Sequence, residues 1–240
     1  MIKRNQPRKK TAPGADTRAR LIEVAAEHFA LHGFEAASQR AIQREAGVNP
    51  ASAHYHFGSK EAMYRAVVET FIHGIQAQRV ASLRAQSNQR TARARLRHLL
   101  YSYFLPSLSV GRTKTGYHYV VILARLSTES TEVPRAIFDE LIQPVRSLYL
   151  KALGELFPDA PEADILEALA MGVTLMATLL TRRPPEGESL VPVEKAESDA
   201  SRLAEFVAAG FESWFGSPGP SCERAGLAAK PLRPPASAAR

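Results

Sequence analysis

Cysteine is almost absent: Cys222 is the sole one in 240 residues. It cannot close an internal disulfide, and with no second Cys nearby it offers no metal site, so it reads as incidental. Also missing is any uninterrupted apolar run of about 18 or more residues, the length a bilayer-spanning helix requires. The basic stretch Met1 to Lys10 has no apolar segment behind it, which excludes an ordinary secretory signal. A cytoplasmic protein with no membrane partner is expected. His-Glu-x-x-His, Gly-x-Ser-x-Gly and Gly-rich phosphate-loop motifs are absent too, leaving an all-helical enzyme without a recognisable centre. No catalytic residue, metal or cofactor is expected. Acidic side chains are in deficit, 24 against 31 basic ones, for a formal net charge of +7. That balance favours an anionic partner, because each phosphate neutralised by Lys or Arg releases a condensed counterion.

What is present is a soluble globular composition, 45% hydrophobic and 23% charged, arranged in helical periodicity with no competing strand pattern. Residues 1–14 are polar, basic and broken by Pro7, Pro13 and Gly14, and read as a disordered arm until Asp16 or Thr17 caps a first helix. In that arm, Lys3, Arg4, Arg8, Lys9 and Lys10 would either follow a DNA groove or be merely solvated. Leu21, Ala25 and Phe29 bury one face of the first helix, and Gly33 ends it. Ser38 caps a short second helix through Ile42 to Ala46, stopped by Gly47. Asn49 caps a third, with Pro50 at its first position. Two short helices joined through Gly47-Val48-Asn49 make a helix-turn-helix, whose second helix can enter a major groove. Ser59 then caps a long fourth helix carrying Met63, Val67, Phe71 and Ile75.

Between Thr17 and Thr70 stand, in order, Ala25-Ala26-Glu27-His28-Phe29, His32-Gly33-Phe34, Ser38, Ile42, Glu45-Ala46-Gly47-Val48-Asn49, Tyr55-His56-Phe57 and Ser59-Lys60-Glu61. With this ordered set the stretch resembles the DNA-binding head of the TetR family of bacterial regulators. Gln43 and His54 depart from the commonest pattern, which has a small residue and an aliphatic at those places. The resemblance implies an all-α fold: a three-helix helix-turn-helix head (15–74) and a larger helical ligand-binding and dimerisation body (75–216); residues 217–240, rich in proline and almost without large apolar side chains, read as a disordered tail. The function that the resemblance implies is that of a homodimeric repressor, released from a palindromic double-stranded DNA operator by a small apolar ligand. Of the expected DNA contacts, Asn49, Ser52, His54, Tyr55 and His56 reach bases or phosphates while Pro50 and Ala51 keep the leading end of helix three slim. Ser38, Gln39, Arg40 and Arg44 form a second phosphate site at helix two. Lys60 holds a phosphate at the start of helix four. The bland alternatives are a satisfied interior His54, a packing Tyr55 and a solvated Lys60.

Beyond the head, helices are expected over 91–107, 117–128, 134–157, 162–182 and 198–215, with breaks at Pro106 to Gly116, Ser130 to Pro134, Pro158 to Pro161 and Arg182 to Ser198. The last helix, with Leu203, Phe206, Val207, Gly210, Phe211 and Trp214, has more apolar surface than a terminal helix needs. The helix before it is apolar on two sides, Leu166, Leu169, Val173, Met176 and Leu180 on one and Ile165, Ala168, Gly172, Leu175 and Leu179 on the other, so that one can serve the core and the other a symmetry mate; the first set is the expected interface. Together the two helices are expected to form a four-helix dimer interface, the competing reading being an ordinary single-chain core. Leu100, Tyr103, Phe104, Tyr119, Ile122, Phe138, Leu141, Tyr149 and Leu175 are candidates to line a ligand pocket, or equally to fill a plain core. Arg125 would meet an acidic ligand or, more simply, pair with Glu129 one turn on. Residues 117–180 also faintly resemble the body of regulators that respond to fatty acyl compounds. Against the regulator stand a sequence-indifferent structural DNA binder, which the charge permits, and the helical enzyme.

Overall fold

The computed structural model describes residues 13–85, 89, 91–111, 114–126, 129, 131–181 and 193–219. The basic arm up to residue 12, the tail from 220 with Cys222, and 182–192 lie outside the described residues. Among the described residues every regular element is a helix: α1 (Pro13–Ala36), α2 (Gln39–Glu45), α3 (Pro50–Phe57), α4 (Lys60–Ala85), α5 (Ala92–Val110), α6 (Lys114–Leu126), α7 (Glu132–Leu141), α8 (Gln143–Gly154), α9 (Glu162–Thr181) and α10 (Val193–Phe215).

The caps in the head follow from side-chain chemistry. Ser38 Oγ accepts the Ala41 N–H at 3.3 Å, Asn49 Oδ1 that of Ser52 at 2.7 Å, and Ser59 Oγ that of Ala62 at 3.1 Å, each satisfying an otherwise orphaned first-turn donor. Gly47 takes φ 64 in the turn between α2 and α3. α1 starts at Pro13, earlier than the expected caps at Asp16 or Thr17, because proline fits a first turn. Gly33 breaks its regularity at φ 74, ψ 175, with a further turn running on to Ala36.

The body corrects four expectations. α5 runs through Pro106 to Val110, so this proline removes one helical hydrogen bond without ending the helix. The helix expected over 134–157 is two, parted at Ile142, because Pro144 fits the first turn of α8 and not the interior of a longer helix. α6 begins at Lys114, ahead of the expected 117. α10 begins at Val193, five residues ahead of its expected start.

Two apolar cores result. One gathers the head with α6 and α7: Leu21, Phe29, Ile42, Ala53 and Met63 are buried together with Tyr119, Ile122 and Ile137. In it the Phe29 and Tyr64 rings meet edge to face at 4.8 Å. The other joins α5, α8, α9 and α10 through Leu99, Phe104, Leu153, Leu169 and Phe211. Each fully buried side chain of this kind contributes about 1.5–3 kcal/mol. Around the second core α5 is tied to α8 by Arg95–Glu155 and to α10 by Arg93–Glu212 and Arg97–Glu205. α9 is apolar enough by composition to cross a bilayer over Glu162–Leu180. Here it packs against α10, α6 and α8.

Candidate nucleic-acid interface

α3 is anchored from below by Ala53, fully buried, and by Phe57, over whose ring Arg18 stacks at 5.4 Å. That leaves the opposite face to solvent: Pro50, Ala51, His54 and Tyr55 are exposed, Ser52 and His56 half-buried. Tyr55 is 86% exposed, touching the His56 ring at 5.5 Å. A tyrosine so little used by its own fold is available to a partner, and it stands beside two imidazoles on an eight-residue helix.

The remaining DNA candidates separate by what they already hold. Asn49 and Ser38 spend their side-chain oxygens as caps. Lys60 Nζ donates to the Glu35 carbonyl at 2.9 Å and stands 4.8 Å from the Phe34 ring centroid, binding α4 to the end of α1. Arg40 and Arg44 are exposed, Gln39 half-buried. Gln43, one of the two departures from the commonest pattern, is buried, and its backbone carbonyl accepts the Val48 N–H that closes the turn. His28 Nε2 meets Glu45 Oε2 at 2.8 Å, holding α1 to α2.

In the body, the residues expected at a dimer interface fall on two sides. Leu169, Met176, Leu203, Val207 and Phe211 are buried within the protomer, and Leu166, Val173 and Leu180 pack partly against the same core. Phe206, Gly210 and Trp214 face outward. Because α9 is apolar nearly all round, its sequence does not reveal which side turns in. The outward row is Met171, Leu175 and Leu179, with Thr174 and Thr178 beside it. Leu175, expected in the pocket, belongs to that row. Phe206 and Trp214 are 68% and 54% exposed.

The pocket candidates are largely core. Tyr119 and Ile122 are fully buried in the core shared with the head, and Leu100, Phe104 and Tyr149 in the other. Phe138 and Leu141 pack partly against the first core. Arg146 stacks on the Phe138 ring at 4.6 Å. Burial pushes the Tyr149 phenol up to about 12, and its hydroxyl donates to the Arg79 carbonyl at 3.1 Å. Arg125 turns toward the end of α1. Its Nε and Nη2 donate to the carbonyls of Ala30 and Leu31 at 3.1 and 3.2 Å, and Nη1 lies 4.0 Å from Glu129. It thus pairs weakly with Glu129, and its main role is to bind α6 to the end of α1. Between the two cores a cavity of about 30 Å³ remains, lined in part by Arg79, Tyr103, Ser107, Leu123 and Met176.

Two family models match the chain: that of bacterial regulatory proteins of the tetR family over residues 21–67, and that of a tetracyclin repressor-like C-terminal domain over residues 101–210. The HTH-type transcriptional regulator BetI of Rhizobium meliloti (strain 1021) is 29% identical over 160 residues, 66% of this chain and 73% of that protein. The chain belongs to the TetR family. It is a DNA-binding transcriptional regulator of that family, and the curated relatives found are named as HTH-type transcriptional regulators. The HTH-type transcriptional regulator UidR of Escherichia coli (strain K12) is 38% identical over 52 residues, 22% of this chain and only 26% of UidR's length. A TetR-family regulator from Bordetella parapertussis 12822 shares the fold at TM-score 0.58 and 19% identity, covering 79% of this chain and 93% of that one.

For this TetR-family regulator, sequence reasoning missed Arg79. The signal was present: Val68, Ile72, Ile75, Arg79 and Leu83 are all buried on one row of α4, so a charge stands on an otherwise apolar stripe. Met171 was missed for the opposite reason, α9 being apolar on several sides.

Proposed function

We propose that the regulator acts as a homodimer that binds a palindromic operator through α3 and represses transcription until a small apolar effector enters the body. The observation that carries the DNA reading is the exposed Tyr55, flanked by His54 and His56 on a helix pinned from behind by Ala53 and Phe57. Base edges in a major groove take contacts from such a face, and phosphates on either side fix its register. Arg40 and Arg44 supply positive charge on the adjoining helix. Asn49 and Ser38 serve by holding the helix starts, and Lys60 by holding α4 against α1.

Dimerisation is supported by the outward rows of α9 and α10, where Met171, Leu175, Leu179, Phe206 and Trp214 are exposed on two helices that pack against each other. A twofold axis through this face would bury each row against its copy. Two heads about 34 Å apart would then read half-sites one helical turn apart.

The test is a footprint of the purified protein on the DNA upstream of its own gene, at fixed salt with excess random competitor. A protected near-palindrome is expected. Equal affinity for random and selected DNA would favour the sequence-indifferent binder instead.

A further inference from the structure

The cavity between the two cores has one charged wall. Arg79 is 3% exposed. Its Nε and Nη2 donate to the Tyr103 carbonyl at 3.0 and 2.8 Å, Nη2 also to Ser107 Oγ at 3.1 Å, and the guanidinium lies 4.1 Å from the Tyr103 ring centroid. These partners are all neutral. Among the described residues the guanidinium meets no carboxylate, and every other residue lining the cavity is uncharged. A buried cation without a counter-charge is costly, and neutral acceptors offset only part of that cost. A polar group nearby is unsatisfied: the Tyr119 hydroxyl is buried without a hydrogen-bond partner, on a side chain close enough to sense the Arg79 charge.

We propose that Arg79 anchors a carboxylate, so that the effector of this regulator is an apolar monocarboxylic acid. The proposal rests on the reading of the body as an effector sensor and specifies what it senses. One guanidinium in an apolar cavity balances one negative charge, which favours a carboxylate over a phosphate dianion. Nε and Nη2 are engaged with Tyr103 and Ser107, so Nη1, which makes none of these hydrogen bonds, is the donor left to a carboxylate. The rest of the lining, including Ile72, Leu123, Val173 and Met176, accepts a hydrocarbon body.

At about 30 Å³ the cavity holds little more than a water, so a bound acid must part its walls. Those walls come from both cores: Ile72, Val120 and Ile142 from the one that contains the head, Tyr103 and Met176 from the other. A ligand at this seam therefore binds the parted and closed states unequally, which is the condition for shifting their populations.

The experiment is calorimetric titration of the full chain with matched pairs: benzoate and benzamide, phenylacetate and phenylacetamide, hexanoate and hexanamide. It is repeated on Arg79→Met and Arg79→Lys, with thermal melts confirming that both variants fold. At least one acid should bind about ten- to a hundredfold more tightly than its amide, the range set by hydrogen bonds to a charged group. Arg79→Met should abolish that preference and Arg79→Lys retain part of it. Equal binding of acid and amide, or a preference that survives Arg79→Met, overturns the proposal. If amides alone bind and release footprinted DNA, the carboxylate assignment falls while the sensing reading stands. If no probe of either charge binds, both fall.

Discussion

Phe206 and Val207 are neighbours on α10, yet their truncation should damage different equilibria. Phe206 is 68% exposed, so of the roughly 200 Å² that a phenylalanine offers, about 140 Å² remains for a partner. At about 25 cal/mol per Å², and with the retained methyl of alanine deducted, Phe206→Ala removes about 2 kcal/mol from each side of a dimer. Twofold symmetry counts it twice, so the loss is about 4 kcal/mol, or about three decades in the dimer dissociation constant. Val207 is 6% exposed. Val207→Ala should instead lower protomer stability by about 1–2 kcal/mol and leave association nearly unchanged. Sedimentation velocity over a wide dilution series reads the first effect, and urea unfolding at high protein concentration the second. A Phe206→Ala protein that remains dimeric to the same dilution as the parent would refute the assignment of this face.

The other predictions concern the head and two local balances. Tyr55→Ala should leave the melting curve unchanged, since the ring is 86% exposed, while operator affinity falls at least several-fold at fixed salt. Unchanged affinity removes α3 from the interface. Glu140 accepts Arg65 through both oxygens at 2.9 and 2.7 Å, and this pairing holds its carboxyl below the ordinary range. A depressed carboxylate stabilises the fold above its unfolded pKa, and that contribution disappears as pH falls through the folded value. Both side chains are partly exposed, so the gain is below about 1 kcal/mol. Glu140→Gln should remove that part of the acid-side slope in urea melts, and an unaltered slope would dismiss the pair. At Gly172 an added Cβ would lie 2.9 Å from Phe104 Cζ and 3.3 Å from the Val207 methyls. The helix gains about 1 kcal/mol from Gly to Ala, but overpacking costs about 1–3 kcal/mol. Gly172→Ala should therefore be neutral to destabilising by about 2 kcal/mol, and a clear rise in thermal midpoint would contradict that packing.

The head was legible because its signals are local. Ser38, Asn49-Pro50 and Ser59 announce helix starts through hydrogen bonds made within three residues, and Gly47 marks a turn through its own φ. The body depends on longer-range packing. Pro106 reads as a breaker, yet α5 continues because one lost hydrogen bond is outweighed by burying Leu99, Phe104 and Leu108 on either side of it. Pro144 was overlooked inside a strong apolar pattern, although its ring fits the start of α8. α9 shows the limit most clearly: periodicity sets Leu169 and Met176 on one side and Leu175 and Leu179 on another, but with both sides apolar it cannot tell that the first turns inward and the second, with Met171, outward. Arg125 and Arg79 exchange the significance that sequence gave them, because a side chain's partners are set by the helix packed against it. α1 supplies carbonyls to Arg125, while α5 supplies only a carbonyl and a hydroxyl to Arg79.

The exchange of roles bears on how a signal would travel. α6 carries Val120, Leu123 and Ala124 on the cavity wall and, at the next residue, Arg125 on the α1 carbonyls. A single helix of 13 residues thus touches both the proposed ligand and the end of the first head helix. The joint is tight where it meets α1. Gly33 adopts φ 74, and a Cβ there would stand 3.0 Å from Glu129 Oε1 and 3.4 Å from Arg125 Nη1. The lack of a Cβ at Gly33 lets Arg125 and Glu129 lie close to the α1 backbone, and the two guanidinium hydrogen bonds resist their parting. A packed interface of this kind tends to switch between discrete arrangements and not to deform gradually. Parting the cavity walls would therefore displace α6 as a body and carry α1 with it, altering the separation of two α3 helices in a dimer without changing any residue that touches DNA.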